Sequence, residues 1–147
     1  MQTILSTVAR RWLGCLLALW AGWAVAESEI RSPDEIPGTV RVDAEGLIDL
    51  IYRIPELTLI DSRVPMDRRQ GYIEGSESLP DTHTDCDTLA LHLDDLDAPV
   101  AFYCNGPRCG RSAKAAQVAV DCGYRRIYWF RGGFEEWLGK GYPVIKE

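Results

Sequence analysis

The sequence is poor in histidine, with only two, and it has no C-x-x-C-H motif. His83 and His92 stand apart from each other and from the cysteines, so we expect surface histidines rather than a zinc site. The missing motif excludes the usual c-type haem attachment. We therefore expect neither a metal nor another cofactor.

Positive charge is also scarce, since 16 lysines and arginines face 22 acidic residues, for a net charge of −6. An acidic chain does not favour nucleic acid or an anionic membrane as a partner. A small anion remains compatible with it, because the local field in a pocket decides that binding. Internal repeats and low-complexity stretches are absent from the sequence.

The first 26 residues predict a secretory signal peptide. Arg10 and Arg11 form a positive region, residues 12–23 are apolar, and residues 24–26 read A-V-A, a typical cleavage site. The apolar run is too short for a transmembrane helix, and no second one follows. Cleavage would leave 14 basic and 22 acidic residues, a charge of −8, in a periplasmic or secreted protein without a membrane partner. An uncleaved N-terminal anchor is the alternative.

The rest of the chain alternates predicted strands with predicted helices. Residues 27–37, with two prolines, are predicted to be a loose lead-in to a domain over residues 38–147. Strands are predicted over residues 39–42, 57–60, 99–103 and 126–130, an extended segment over 78–80, and helices over 43–52, 88–95, 112–122 and 134–138. This order favours an α/β domain with a central, mostly parallel sheet flanked by helices.

Three of these strands end in residues that carry chemistry. Ligands of open α/β sheets bind beyond the carboxyl ends of the strands. Asp61 and Arg63 follow one strand, Cys104 follows a second and Arg131 follows a third. We therefore expect these side chains to meet at one rim of the sheet.

The segment from Cys104 to Ser112 is the main candidate for a site. Cys104 opens a glycine-rich loop that contains Arg108 and Arg111, and Ser112 is predicted to be the N-cap of the next helix. A strand, loop and helix in this order surround an anion with backbone N–H groups. The helix dipole, the amides and the guanidiniums should lower the pKa of the Cys104 thiol. The alternative is an ordinary core cysteine.

Several motifs, in this order, resemble a single-domain rhodanese over about residues 40–144. They are L-I-D-S-R at 59–63, G-Y-I-E-G-S-E-S-L-P at 71–80, F-Y-C at 102–104, A-A at 115–116, G-Y at 123–124, F-R-G-G-F-E-E-W at 130–137 and G-Y-P at 141–143. The resemblance implies a rhodanese-like domain with sulfurtransferase activity.

In such a protein the cysteine at the position of Cys104 takes a sulfane sulfur from a thiosulfate-like anion. It carries the sulfur as a persulfide and passes it to a thiol or another thiophilic acceptor. The resemblance assigns substrate binding to Asn105, Gly106, Arg108, Gly110 and Arg111. It makes Asp61, Arg63 and Arg131 supporting residues, with Arg131 at the pocket rim, and it leaves Trp129 either at that rim or in the core.

The loop departs from the family pattern, because six residues rather than four separate Cys104 from Arg111. The sequence leaves the main anion ligand open between Arg108 and Arg111. A longer loop also keeps phosphate or arsenate chemistry as a weaker alternative. The sequence is compatible, too, with a thiol–disulfide redox protein that uses Cys104 and Cys109, or with a non-catalytic rhodanese-like binding module.

Four cysteines follow the predicted signal peptide, and they allow three pairings between which the sequence does not choose. They are Cys86, Cys104, Cys109 and Cys122. An exported location favours oxidation. We predict that Cys104 and Cys109 can form a disulfide that switches the enzyme off, or that Cys109 attacks the persulfide and releases sulfide. Otherwise Cys109 points away and fills space.

Overall fold

The computed structural model describes residues 32–146. The predicted signal peptide and the start of the lead-in lie outside these residues. The strands are β1 Val40–Val42, β2 Thr58–Asp61, β3 Glu77–Ser78, β4 Val100–Tyr103 and β5 Ile127–Phe130. The helices are α1 Ala44–Arg53, α2 Pro65–Arg68, α3 Cys86–His92, α4 Arg111–Asp121 and α5 Gly133–Gly139, with a 3₁₀ turn at Asp81–His83.

The five strands form one sheet in the order β1-β5-β4-β2-β3, and all of its neighbouring strands are parallel. All four residues of β4 are buried, because β2 and β5 flank it and helices cover both faces. The prediction of an α/β fold with a mostly parallel sheet and flanking helices is confirmed.

Alternate side chains of the strands divide the core into two layers. On one face, Phe102 and Trp129 pack with Leu89 of α3 and the alanines of α4. On the other face, Tyr103 and Phe130 pack with Leu47 of α1 and with α5. Small residues on α4 let it lie close to the centre of the sheet, which places its N-terminus beside the end of β4.

Two helix starts show how far local patterns predict the structure. The side chain of Asp43 accepts a hydrogen bond from the amide of Gly46 at 2.8 Å and caps α1, so the helix starts where the sequence predicted it. Helix α3 begins at Cys86 rather than at residue 88, because Asp85 caps it. It ends at His92 rather than at residue 95, so Leu96 falls in the following loop and is 42% exposed.

The predicted cap of α4 is wrong. This helix begins at Arg111 after Gly110, and no side chain caps it. Ser112 lies inside the first turn and is buried. Its hydroxyl accepts a hydrogen bond from the indole N–H of Trp129 at 3.1 Å. Trp129 is fully buried, so of its two predicted places it takes the core.

The described part of the lead-in is not loose. Ser32 and Ile36 are both buried, and Ile36 joins the core layer below α4. An apolar side chain and a hydrogen-bonding serine thus tie down a segment whose overall composition is polar. Across residues 32–146, no helix has the length and apolar content that crossing a membrane requires.

Candidate active site

The carboxyl ends of β2, β4 and β5 meet at one edge of the sheet. Asp61 pairs with Tyr103 and Tyr103 with Phe130, so the residues that follow these strands emerge side by side. Ser62 also donates its amide hydrogen to the carbonyl of Tyr103 at 2.9 Å. Cys104 therefore leaves the central strand β4 between the end of β2, which holds Asp61, and the end of β5, which Arg131 follows.

The loop over residues 104–110, which we term the cysteine loop, is tied to the start of α5. The amide of Phe134 donates to the carbonyl of Cys104 at 2.8 Å, and the amide of Glu135 donates to that of Asn105 at 2.7 Å. Farther along, Cys109 donates its amide hydrogen to the carbonyl of Gly106 at 2.8 Å. The backbone of the loop is thus held before any ligand binds.

Gly133 makes this close approach possible. Its φ of +57° is one that residues with side chains rarely adopt, and an added Cβ would lie 2.3 Å from the carbonyl oxygen of Cys104. The absence of a side chain at Gly133 is therefore what lets α5 contact the backbone of Cys104.

Several backbone N–H groups of the cysteine loop have no hydrogen-bond acceptor among the described residues. Within residues 32–146, no protein atom accepts a hydrogen bond from the amides of Asn105, Gly106, Arg108 and Gly110. The N-terminus of the eleven-residue helix α4 adds its partial positive charge at the end of the loop. Such a set of donors suits an anion or a developing thiolate.

An open pocket of about 450 Å³ lies over the loop. Its lining comprises Asp81, Asn105, Arg108, Cys109, Gly110, Arg111 and Lys114. Four of the five predicted substrate-binding residues therefore share one surface, whereas Gly106 lies outside the lining. Cys104 is only 1% exposed and also lies outside it.

Within residues 32–146 the structure contains two disulfides. Cys86 bonds to Cys122 across a Cα–Cα distance of 5.6 Å, and Cys104 bonds to Cys109 across 6.3 Å. Both distances lie in the range that disulfides normally span. In this oxidised state Cys104 has no thiol to titrate, so its lowered pKa stays a prediction for the reduced protein.

The two candidate arginines have different surroundings. Arg111 Nη1 donates to Oδ2 of Asp67 at 2.9 Å, and the side-chain amide of Asn105 donates to the same oxygen at 2.8 Å. Arg108 has a side chain that is 72% exposed, with Nη2 4.0 Å from a carboxylate oxygen of Glu135. Arg111 is thus held by a hydrogen bond from its guanidinium, whereas Arg108 is mostly exposed to solvent.

Asp67 is a residue of the site that sequence analysis missed. It lies in the short helix α2, 38 positions before Asn105, and only the fold brings it to the loop. The hydrogen bond from Asn105, followed by that from Arg111, lowers the pKa of the Asp67 carboxyl below its usual value. The carboxylate is therefore charged at neutral pH. Its only sequence signal was an acidic side chain in the charged segment after β2.

Asp61 and Arg63 form a buried ion pair behind the cysteine loop. Arg63 donates to both carboxylate oxygens, at 2.8 and 2.7 Å, and both side chains are almost completely buried. Arg68 and the hydroxyl of Tyr103 also donate to Oδ2 of Asp61, at 3.1 and 2.8 Å. Burial, together with the Asp61 charge, raises the pKa of Tyr103, so its hydroxyl stays a donor. This network fixes the residue that immediately precedes Cys104.

Arg131 contacts the lead-in. Its guanidinium donates to the carbonyls of Pro33 and Ser32 at 2.8 and 3.2 Å and lies 3.2 Å from the carboxylate of Asp34. Ser32 in turn donates its hydroxyl to the carbonyl of Cys109 at 2.6 Å and its amide to that of Pro107 at 3.1 Å. Arg131 therefore reaches the cysteine loop through the lead-in.

These features define an α/β protein with a cysteine loop between the central strand and a helix N-terminus. The chain belongs to the rhodanese-like domain family, whose model matches residues 43–140. The resemblance seen in the sequence is thus confirmed.

Similar proteins include several with sulfurtransferase names. A sulfurtransferase of Allochromatium vinosum is 26% identical over 106 residues, which are 71% of this chain and 92% of that protein. The thiosulfate sulfurtransferase GlpE of Pseudomonas paraeruginosa is 34% identical over 79 residues, which are 54% of this chain and 67% of that protein.

Solved structures share the fold. The polysulfide-sulfur transferase homodimer of Wolinella succinogenes matches with a TM-score of 0.62 and 24% identity, over 75% of this chain and 80% of that one. A Rhodopseudomonas palustris protein described as a possible tyrosine phosphatase matches with a TM-score of 0.60 and 26% identity, over 73% of this chain and 85% of that one.

Proposed function

We propose that this rhodanese-like protein is a sulfurtransferase that carries a sulfane sulfur on Cys104. The donor is a small anion of the thiosulfate type, and the acceptor is a thiol or another thiophilic group. One observation supports this above all: Cys104 opens a loop with unoccupied amide donors at the N-terminus of α4. The sulfurtransferase names among its relatives agree with it.

The reaction begins from the reduced protein. The Cys104 thiolate attacks the outer sulfur of thiosulfate, the sulfur–sulfur bond breaks, and sulfite leaves with the bonding electrons. The persulfide anion on Cys104 would be held by the amides of the cysteine loop and the α4 N-terminus. Arg111, oriented by Asp67, would bind the oxygens of the incoming anion and of the departing sulfite.

We also propose that the protein works in the periplasm or outside the cell. The pattern of residues 1–26 supports export. The disulfide between Cys86 and Cys122 agrees with it, because structural disulfides persist in oxidising compartments.

A thiol–disulfide redox protein is the second candidate. The bond between Cys104 and Cys109 favours it, since a dithiol in one loop is the reactive unit of such proteins. This function would need no sulfane sulfur, and the two candidates therefore differ in what the reduced protein does with thiosulfate.

The test uses reduced protein, desalted under anaerobic conditions and mixed with thiosulfate. We expect Cys109→Ser to gain one sulfur atom by intact mass and to release one sulfite. Cys104→Ser should gain none, and its turnover with cyanide as acceptor should fall by orders of magnitude while its circular dichroism stays unchanged. Unmodified Cys109→Ser, with rapid disulfide exchange by the wild type, would instead support the redox protein. Hydrolysis of an aryl phosphate would support the phosphatase-like alternative.

A further inference from the structure

We infer that Cys109 is a resolving cysteine, which makes the protein a dithiol-dependent enzyme that releases sulfide from thiosulfate. The inference rests on the proposed function, because it starts from a persulfide on Cys104. It adds a second reacting residue, a different sulfur product and a partner class. That partner is a dithiol reductant, either a small molecule or a protein.

The geometry brings the required atoms together. A persulfide is resolved to a disulfide when a thiolate attacks its inner sulfur, which here is Sγ of Cys104. The structure joins Sγ of Cys109 to that same atom, with the two Cα atoms 6.3 Å apart. The loop therefore holds Cys109 within reach of the sulfur atom that it must attack.

The step is balanced without an outside oxidant. The Cys109 thiolate attacks Sγ of the Cys104 persulfide, and a new Cys104–Cys109 bond forms. The bond between Sγ and the sulfane sulfur breaks, and hydrosulfide leaves with the bonding electrons. Its proton is the one that the Cys109 thiol gave up on becoming the thiolate. The sulfane sulfur gains two electrons and becomes sulfide, and the two cysteine sulfurs together give up those two electrons as they form the disulfide. This step forms the same Cys104–Cys109 bond that the structure contains.

To start a new cycle, a reductant must convert the Cys104–Cys109 disulfide back to two thiols. The two cysteines differ in exposure in the way that this reduction requires. Cys104 is 1% exposed, whereas Cys109 is partly exposed and lines the open pocket. A dithiol can therefore attack Cys109 and expel the Cys104 thiolate. The predicted lowered pKa of Cys104 favours this direction, because a thiol of lower pKa leaves faster. A second thiol of the reductant then frees Cys109, and the sum is thiosulfate plus dithiol giving sulfite, sulfide and a disulfide.

The lead-in holds Cys109 in position. The hydroxyl and the amide of Ser32 bond to the carbonyls of Cys109 and Pro107, and Ser32 itself is buried. The turn between Gly106 and Cys109 constrains the same segment from the other side. These bonds involve the backbone, so they do not depend on the disulfide and can hold Cys109 near Cys104 after reduction.

The experiment is a single turnover without free thiol. Protein reduced and desalted under anaerobic conditions is mixed with excess thiosulfate, and sulfite, sulfide and free thiols are measured. We expect the wild type to release one sulfite and one sulfide per chain, with a Cys104–Cys109 disulfide found by peptide mapping. Cys109→Ser and Cys109→Ala should release the sulfite alone and keep the added sulfur.

The outcomes separate this inference from the proposed function. A wild type that keeps its persulfide and releases no sulfide would overturn the resolving role while leaving the sulfurtransferase intact. No sulfite from either the wild type or the Cys109 variants would overturn the proposed function itself. In a second measurement, cyanide present from the start should yield more thiocyanate per turnover from Cys109→Ser than from the wild type. A resolving Cys109 must compete with cyanide for the persulfide on Cys104, so equal thiocyanate yields from the two proteins would contradict this role.

Discussion

Arg111 is paired with Asp67, whose Oδ2 accepts a hydrogen bond from the guanidinium at 2.9 Å. The arginine best placed to bind the substrate anion thus already has an anionic neighbour. In the proposed sulfurtransferase the carboxylate would orient the guanidinium for the anion, but it would also cancel part of the charge that attracts the donor. These two effects can be separated by substitution.

We predict that Asp67→Asn lowers the KM for thiosulfate with little change in kcat. The amide oxygen of the new asparagine still accepts a hydrogen bond from Arg111. Loss of one negative charge removes a repulsion of about 1 kcal/mol on a dianion roughly 8 Å away in water-like surroundings, which corresponds to a roughly fivefold lower KM. The gain should shrink as salt is added. Asp67→Ala is the contrast, because it also removes the acceptor and should lower kcat. Equal kinetics in the two variants would refute the separation.

The stability of the folded protein should depend on pH through the carboxylate of Asp67. Its folded pKa is lowered by Asn105 and Arg111, so the stability that it contributes is present above the ordinary aspartate pKa of about 3.9. That stability is lost as the pH falls through the lowered folded value. We therefore predict that Asp67→Asn loses less stability than the wild type between pH 5 and the acid limit, measured by urea unfolding at each pH. Parallel stability curves for the two proteins would contradict this.

The two arginines of the loop should respond differently to lysine. Arg111→Lys loses the planar donor set that Asp67 orients, and we predict a fall in kcat/KM of tenfold or more. Arg108 has a side chain that is 72% exposed, so Arg108→Lys should change kcat/KM less than threefold. Thiosulfate kinetics on both reduced variants test this, and the opposite order would move the anion role to Arg108.

Gly133 gives a prediction about the backbone of Cys104. In Gly133→Ala the added Cβ meets the carbonyl of Cys104 at 2.3 Å, so the cysteine loop must shift or α5 must move away. The left-handed conformation alone costs about 1–2 kcal/mol for alanine. We expect a lower melting temperature and a more than tenfold loss of turnover. Gly139→Ala is the matched control, because nothing lies within 4 Å of its added Cβ. Wild-type turnover in Gly133→Ala would refute the tight contact.

The sequence predicted the sheet because its strands are short apolar runs with turn residues between them. It also predicted the edge at which Asp61 and Cys104 emerge, since parallel strands all end on the same side. The strand order itself depends on long-range packing, and no local pattern carries it. The cap of α4 was wrong for a similar reason: Ser112 makes its hydrogen bond to Trp129, a partner 17 positions away.

The site residues that sequence analysis missed are those whose contacts join distant parts of the chain. Asp67 meets Asn105 and Arg111 only because α2 lies beside the cysteine loop. Ser32 stood in a segment that composition indicated as loose, and its role depends on two carbonyls of the loop. Every residue has the same backbone carbonyl group, so a sequence cannot indicate which carbonyl will accept a hydrogen bond from a given serine.

The two disulfides should differ in function. Cys86 starts α3 and Cys122 follows α4, so their bond closes a 36-residue separation between two helices and lies outside the pocket lining. Closing a loop of this length is worth about 3–4 kcal/mol in the chain-entropy model. We predict that Cys86→Ala/Cys122→Ala loses stability on this scale and keeps its kcat with thiosulfate and cyanide. Cys109→Ala should show the reverse, with nearly unchanged stability after reduction and altered sulfur products. Denaturant unfolding and single-turnover sulfide release on both variants measure the contrast, and sulfide release that depends on Cys86 and Cys122 would contradict it.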